Sequence, residues 1–295
     1  MDLDGRISAM QIAELYGCGR PVFSFEFFPP KTDPGFEALY RTVADLKRLN
    51  PDFVSVTWGA GGSTRRKTVE IVTRIQRNIG LTAMAHLSCI GSTPAQIEET
   101  LAELHASGIE NILALGGDRP EDYEPPPGAF TYASELAAFI KSTGYDFCLG
   151  GACYPETHPL AESPEVDLRN LVRKVDAGVD FLISQLFFDN RDFFAFCERA
   201  RNAGIDVPIV PGIMPILSAS SIRRMTLLSG AKIPAELEAK LSATEHDAAL
   251  TYDVGVEWAT MQCRELLERG VPGIHFYTLN KSQATRNIFR NLLER

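Results

Sequence analysis

No apolar run in this chain approaches the ~20 residues that a membrane-spanning helix needs, which argues against a membrane protein. Positive charge is also scarce: the formal net charge is -9 and the pI about 5.2. No basic patch or stripe of the kind nucleic-acid binders show is evident. The six cysteines, Cys18, Cys89, Cys148, Cys153, Cys197 and Cys263, form no CxxC pair and read as reduced thiols. The five histidines show no HExxH or similar ligand spacing, so no metal site is expected. No GxGxxG follows any apolar run, which weighs against a Rossmann dinucleotide site. The first residues, Met1-Asp2-Leu3-Asp4-Gly5-Arg6, are acidic and polar, unlike a signal peptide. The expected location is the cytoplasm.

What is present is a large apolar inventory, 45% of 295 residues, enough for a sizeable core. The most informative stretch is Phe23-Ser24-Phe25-Glu26-Phe27-Phe28-Pro29-Pro30-Lys31. It reads as a buried strand stopped by two prolines, which cannot donate to a ladder. Residues two apart on a strand share a face. Glu26 therefore points with Ser24 and Phe28, and Phe25 and Phe27 point the other way. A carboxylate inside an aromatic strand is a candidate proton donor, half of an ion pair with a nearby Arg or Lys, or a group simply exposed at the strand end. The stretch alone leaves these open.

Along the chain, apolar strands alternate with helical patterns. A short helix is expected over 7–16, and Phe36, Leu39, Tyr40, Val43 and Leu46 recur at helical spacing. The strand 53–57 runs into a glycine-rich loop, and a basic helix follows from Arg65 to Ile79, with Gly80 as its stop. After the strand 82–87, Thr93-Pro94-Ala95-Gln96 carries the signature of a capping box, and Gly108 ends that helix. Strands 111–115, 147–152, 181–185, 208–210 and 274–278 continue the alternation, with helices between them and after the last. Eight strands, each followed by helical sequence, imply βαβ units. In a chain this long they point to an α/β fold, a closed (β/α)8 TIM barrel forming one domain over 1–295, with an N-terminal helical extension. A doubly wound open sheet is the alternative architecture.

Barrel active sites gather at the C-terminal strand ends. Those ends supply Glu26, Thr57, His86, Asp118, Tyr154, Gln185 and the Tyr277 to Asn280 region. Each has a structural alternative: Thr57 as a good strand former, His86 as a core histidine, Gly116-Gly117-Asp118-Arg119-Pro120 as a plain turn, Tyr154 and His158 as loop packing. Paired glycines also let backbone approach a ligand, and an inward Gln185 needs amide partners. Asn170, Arg173 and Lys174 fall within one helical turn, which suits either a solvated face or a diphosphate. The convergence of several polar groups on one mouth points to a site.

Together these motifs resemble the methylenetetrahydrofolate reductase family. FSFEFFPPK (23–31), VSVTWGAGGST (54–64), AHLSCI (85–90), LGGDRP (115–120), YPETHP (154–159), the 167–178 helix, SQLFFD (184–189), PGIMPI (211–216) and HFYTLN (275–280) carry the resemblance in order. It implies a barrel that holds FAD without a Rossmann motif. Such a barrel reduces 5,10-methylenetetrahydrofolate to 5-methyltetrahydrofolate with NADH or NADPH, in one-carbon metabolism and methionine biosynthesis. Hydride would pass through the flavin in ping-pong order. Glu26 would be the general acid, and Asp118 would stabilise the cationic folate. Thr57, His86, Gly117, Asp118, Tyr132, Ala133, Tyr154, His158, Asp167, Asn170, Arg173 and Lys174 would line the FAD site. Glu26, Thr57, Asp118, Gln185 and Lys281 would meet the folate. Leu217 to Ser221 and Met225 stand where some relatives offer Gln or an aromatic ring to folate and nucleotide. The expected partners are the small molecules, with neither nucleic acid nor membrane, and a homo-oligomer is compatible with the resemblance. Two other readings are a flavin barrel fed by a partner protein and a folate-binding barrel without catalysis.

Overall fold

The computed structural model describes residues 10–58, 62–118 and 122–293. Among these residues nine strands are arranged as β1 (Val22–Phe27), β2 (Phe53–Val56), β3 (Ala83–Ser88), β4 (Asn111–Leu115), β5 (Cys148–Cys153), β6 (Phe181–Ser184), β7 (Ile209–Val210), β8 (Gly212–Ile213) and β9 (Gly273–Tyr277). Every pairing is parallel, in the order β7-β6-β5-β4-β3-β2-β1-β9-β8. The two edges of that order, β7 and β8, are the halves of a single strand on either side of Pro211. The sheet therefore closes into the expected barrel, and the open doubly wound alternative is excluded. A proline has no N–H for the ladder, which is why the seventh barrel strand divides there. Its carbonyl still accepts from the His275 N–H at 3.0 Å. The sequence pattern ended this strand at Val210; the structure adds Gly212–Ile213 beyond the proline.

Helices follow the strands: α1 (Ile12–Leu15) before β1, then α2 (Asp33–Lys47), α3 (Gly62–Arg74), α4 (Pro94–Ala106), α5 (Ala133–Ser142), α6 (Pro164–Asp176), α7 (Asn190–Asn202), α8 (Ala219–Ser229), α9 (Ala235–Thr244), α10 (Ala248–Glu268) and α11 (Ser282–Leu293). The first helix is shorter than the expected span of 7–16: among the described residues only Ile12–Leu15 is helical, and residues 1–9 lie outside them. The basic helix is not uniform either. After Arg74 it widens into a π turn over Ile75–Ile79 and stops at Gly80, whose φ of 73° is left-handed. The turn carries Gln76 inward, where its Oε1 accepts from Ala83 N at 3.2 Å and its amide nitrogen donates to the Gly108 carbonyl. The Thr93–Gln96 capping box forms in both directions, Gln96 N to Thr93 Oγ1 at 3.3 Å and Thr93 N to Gln96 Oε1 at 3.0 Å.

Alternation along β1 sorts the interior. Phe25 and Phe27 face outward into the main core with Leu39, Val43 and Leu46 of α2. The inward residues of the strand starts form a second apolar cluster, with Val22, Phe53, Met84, Leu113, Cys148, Phe181, Ile183 and Val210. Ile12 and Leu15 of α1 belong to that cluster, so α1 plugs the lower end of the barrel. Asn111 pins the plug: its Oδ1 accepts from Ile12 N at 2.8 Å and its Nδ2 donates to Met10 O at 3.0 Å. One layer higher the interior turns polar, with Ser24, Ser55, Glu26, His86 and His275 all buried. Buried ionisable groups are rare without a partner or a task. Among the described residues no helix is long and apolar enough to cross a membrane, and the six cysteines form no disulfide.

Candidate active site

Three strands bring three titratable side chains to one point. Glu26 comes from β1, His86 from β3 and His275 from β9; they are 6%, 4% and 0% exposed. Oε2 of Glu26 lies 3.5 Å from Nε2 of His86 and 3.6 Å from Nε2 of His275. Neither Nε2 has a hydrogen-bond partner among the described residues. Burial pushes the His86 imidazole down to about 4, against the opposing pull of Glu26. His86 is thus a neutral ring at ordinary pH. His275 is held from its other side, Nδ1 standing 2.7 Å from Ser24 Oγ. The sequence reading placed His86 at the site and left His275 as part of a motif. What brings His275 in is register: Ser24 pairs with His275 and Glu26 with Tyr277 across the closing strands.

The rim around this trio is built by local rules. Thr57 N donates to Phe27 O at 2.9 Å, which continues the β1–β2 ladder past the strand ends. Tyr277 buries its hydroxyl and donates it to Ser184 O at 2.6 Å. Gln185 leaves β6 with its N–H on Cys153 O at 2.7 Å, and its Oε1 accepts from Leu186 N at 2.9 Å. The backbone donor identifies the amide oxygen, so the NH2 is the end that can donate to a ligand. Gly117 has φ of 91°, and a Cβ there would collide with Ser88 Oγ. A backbone this close to β3 accepts only glycine. Asp118 follows it, exposed at the mouth. Residues 59–61 and 119–121, which include parts of the glycine-rich loop and of LGGDRP, lie outside the described residues.

The loop after β5 supplies Tyr154 and His158, with ring centroids 4.5 Å apart and edge to face. Burial, and then Asp118 nearby, pushes the Tyr154 phenol up to about 12. His158 N donates to Asp167 Oδ2 at 2.9 Å, and His158 Nδ1 accepts from Leu160 N at 3.0 Å. That fixes the tautomer with the hydrogen on Nε2, a donor for a ligand. Between them Thr157 sits at φ 87°, a left-handed conformation that β-branched residues rarely adopt. Such strain clusters where surroundings over-determine a loop. Asp167 lies on α6, which Ser163 caps by accepting from Val166 N at 3.3 Å. On the same helix the structure separates two groups that sequence spacing placed together. Arg173 Nη1 donates to the exposed Asn170 Oδ1 at 3.3 Å, whereas Lys174 turns inward and donates to Ala152 O at 2.6 Å. Burial pulls the Lys174 ammonium below the usual lysine range. Tyr132, 62% exposed, and Ala133 stand at the start of α5. Lys281 is exposed just past β9. Met225 packs from α8 against the satellite core under Leu186, Met214 and Ile222.

This arrangement can deliver a proton from a shielded carboxylate to a ligand at the mouth, beside polar groups that could hold a flat, charged molecule. The model of methylenetetrahydrofolate reductase matches residues 11–293. The chain belongs to the methylenetetrahydrofolate reductase family. Among the family's members, 5,10-methylenetetrahydrofolate reductase of Escherichia coli is 38% identical over 269 residues, covering 91% of this chain and 90% of that protein. Methylenetetrahydrofolate reductase (NADH) 1 of Arabidopsis thaliana is 39% identical over 287 residues, covering 93% of this chain but 48% of its own length. The chain thus spans about half the length of the plant and yeast members it matches and about nine-tenths of the bacterial ones. A solved structure from Clostridium thermocellum, described as an uncharacterized protein binding two copies of 5-methyl-5,6,7,8-tetrahydrofolic acid, superposes with a TM-score of 0.63 at 14% identity, covering 97% of this chain and 98% of that one. At that identity the likeness concerns the barrel alone.

Proposed function

We propose that the chain reduces 5,10-methylenetetrahydrofolate to 5-methyltetrahydrofolate in the cytoplasm, with NADH or NADPH as electron donor and FAD as cofactor. The observation that carries this reading is the shielded Glu26 carboxyl at the mouth of a barrel of this family. The closed five-membered ring of the substrate is a poor hydride acceptor until a proton opens it to an iminium. His86, with its pKa near 4, is neutral and cannot be that acid at ordinary pH. Lys174 is turned beneath the rim onto Ala152. Glu26 is the one carboxyl of the three inward titratable groups, and it is the acid that the family resemblance implies. The Ser24–His275 contact orients a second ring beside it. Asp118 at the β4 rim places negative charge where the iminium would develop. The NH2 of Gln185 suits the pterin, Thr57 lies beside it on the β2 rim, and Lys281 suits a carboxylate of the folate tail.

The residues present fit FAD. The unpartnered Nε2 of His86, the donor Nε2 of His158 and the glycine-only backbone at Gly117 offer contacts to a flat ring system and its polar edge. Thr57, Asp118, Tyr132, Ala133, Tyr154, Asp167, Asn170, Arg173 and Lys174 complete the set that would hold it, with Arg173 and Asn170 the exposed pair for a diphosphate. FAD, when bound, would carry hydride from nucleotide to folate. Nucleotide and folate would take turns at the mouth opposite the α1 plug, in ping-pong order. The name of the Arabidopsis relative favours NADH as the donor. The test is an absorption spectrum of the purified protein. The expected result is a flavin band that acid precipitation releases into the supernatant, that NADH bleaches and that methylenetetrahydrofolate restores. A protein that stays colourless after incubation with FAD would overturn the reading, as would one bleached only by a protein donor.

A further inference from the structure

The chain just past β9 is held to β1 by a side chain acting as a peptide group. Phe28 N donates to Asn280 Oδ1 at 2.8 Å, and Asn280 Nδ2 donates to Phe28 O at 2.8 Å. The main-chain ladder between these strands ends at the Glu26–Tyr277 pair. The Asn280 amide therefore extends the ladder by one further rung. Thr278 adds a contact one step below, its Oγ1 donating to the Glu26 carbonyl at 2.6 Å and accepting from Asn280 N at 3.2 Å. Holding this geometry requires two consecutive left-handed residues, Leu279 at φ 52° and Asn280 at φ 56°. Leucine adopts that region reluctantly, so the contacts must outweigh the strain. Lys281 follows at once, its N–H on Thr278 O at 2.9 Å.

The clamp thus joins two places with different tasks. On one side is the backbone of Glu26 and Phe28; on the other is the backbone that presents Lys281. We propose that Asn280 is a positioning residue for the folate half of the reaction, fixing the separation between the Glu26 carboxyl and the Lys281 ammonium. The inference rests on the function proposed above, in which these groups meet opposite ends of one folate. Asparagine suits the task chemically. It tolerates left-handed backbone and offers both an acceptor and a donor. Aspartate keeps the shape and loses the donor, and glycine keeps the backbone and loses the amide.

The experiment uses the FAD-loaded enzyme and the variants Asn280→Gly and Asn280→Asp. Rapid mixing follows flavin reduction by NADH and reoxidation by methylenetetrahydrofolate separately, with thermal melting alongside. A small displacement between two binding groups costs roughly tenfold to a hundredfold. Both variants should raise the folate KM and slow reoxidation by that order, while reduction by NADH stays within about threefold of the parent. Asn280→Asp should recover part of the loss as pH falls to about 4 and below, where a protonated carboxyl can again donate to Phe28 O; Asn280→Gly should not. Equal losses in both half-reactions, or lost FAD, would make Asn280 a general structural residue and overturn the inference. Unchanged folate kinetics in both variants would overturn it alone. A parent enzyme that NADH reduces but folate never reoxidises would bring down the proposed function, and this inference with it.

Discussion

Nδ1 of His275 stands 2.7 Å from Oγ of Ser24, two residues of neighbouring strands separated by 251 positions in the chain. That contact turns the other ring nitrogen toward Glu26, 3.6 Å away. Glu26, the acid proposed for the site, is therefore one end of a short polar line buried beneath the mouth, and its replacement gives the sharpest expectation. Glu26→Gln keeps size and much of the hydrogen bonding but has no proton to give. Folate-dependent reoxidation should fall by about 10²–10⁴-fold, while NADH still reduces the flavin at near the parent rate. Rapid mixing of each half-reaction measures both. Loss of flavin reduction with folate reduction retained would make Glu26 a flavin-positioning residue.

Asp118→Asn should separate the half-reactions in the same sense. Its carboxylate lies at the exposed rim beyond β4, close enough to Tyr154 to help raise the phenol. Removing a charge that opposes a developing cation typically costs about 10²-fold or more. Comparison of the two half-reaction rates in the variant checks this, and parent-like rates in both would refute the role.

Gly117→Ala tests the loop itself. The new Cβ would meet Ser88 Oγ, and the φ of 91° is left-handed. Such a change costs roughly 1–3 kcal/mol. The variant should melt lower and retain less FAD after gel filtration. Adding Ser88→Ala relieves the collision and leaves the backbone strain, so the double variant should recover only part of the loss.

Glu156 provides a pH signature away from the acid. Its Oε2 accepts from Lys232 N at 2.6 Å, while Oε1 is buried without a partner. Burial is the main cause that pushes its pKa up from 4.5 to about 7. The folded protein then holds a proton that the unfolded chain has released, so this residue's contribution falls as pH rises from about 4.5 through about 7. Glu156→Gln has nothing to titrate. Relative to the parent it should gain about 1 kcal/mol at pH 8, the full linkage being reduced because the side chain is only half-buried. At pH 4 the two should melt alike. Thermal melts of both proteins across this range check the difference, and parallel profiles would refute it.

The strands, most helix stops and the inward direction of Glu26 were legible because they follow local rules: period-two alternation, glycine after helices, a capping box at Thr93. Family motifs supplied the list of rim residues. Four features were not readable because each depends on closure or on tertiary direction. The Gly212–Ile213 strand exists only because β9 lies beside it. The widening of the basic helix at Ile75–Ile79 serves the burial of Gln76 between α3, β3 and the end of α4. Lys174 leaves its helical neighbours for Ala152 because it can reach between α6 and β5, a direction that helical spacing alone does not encode. His275 sits in a recognisable motif, but only the β1–β9 register shows that it faces Glu26.

The divided strand at Pro211 has a mechanical meaning. Here the hydrogen-bonded ring is one tooth short, and the amide that bridges the gap is the backbone N–H of His275. One residue therefore carries the barrel's seal in its main chain and the neighbour of the acid in its side chain. Opening at this joint would move the ring that faces Glu26, the proposed proton donor. Amide exchange at His275 would thus report, in the resting protein, how often the site falls out of register.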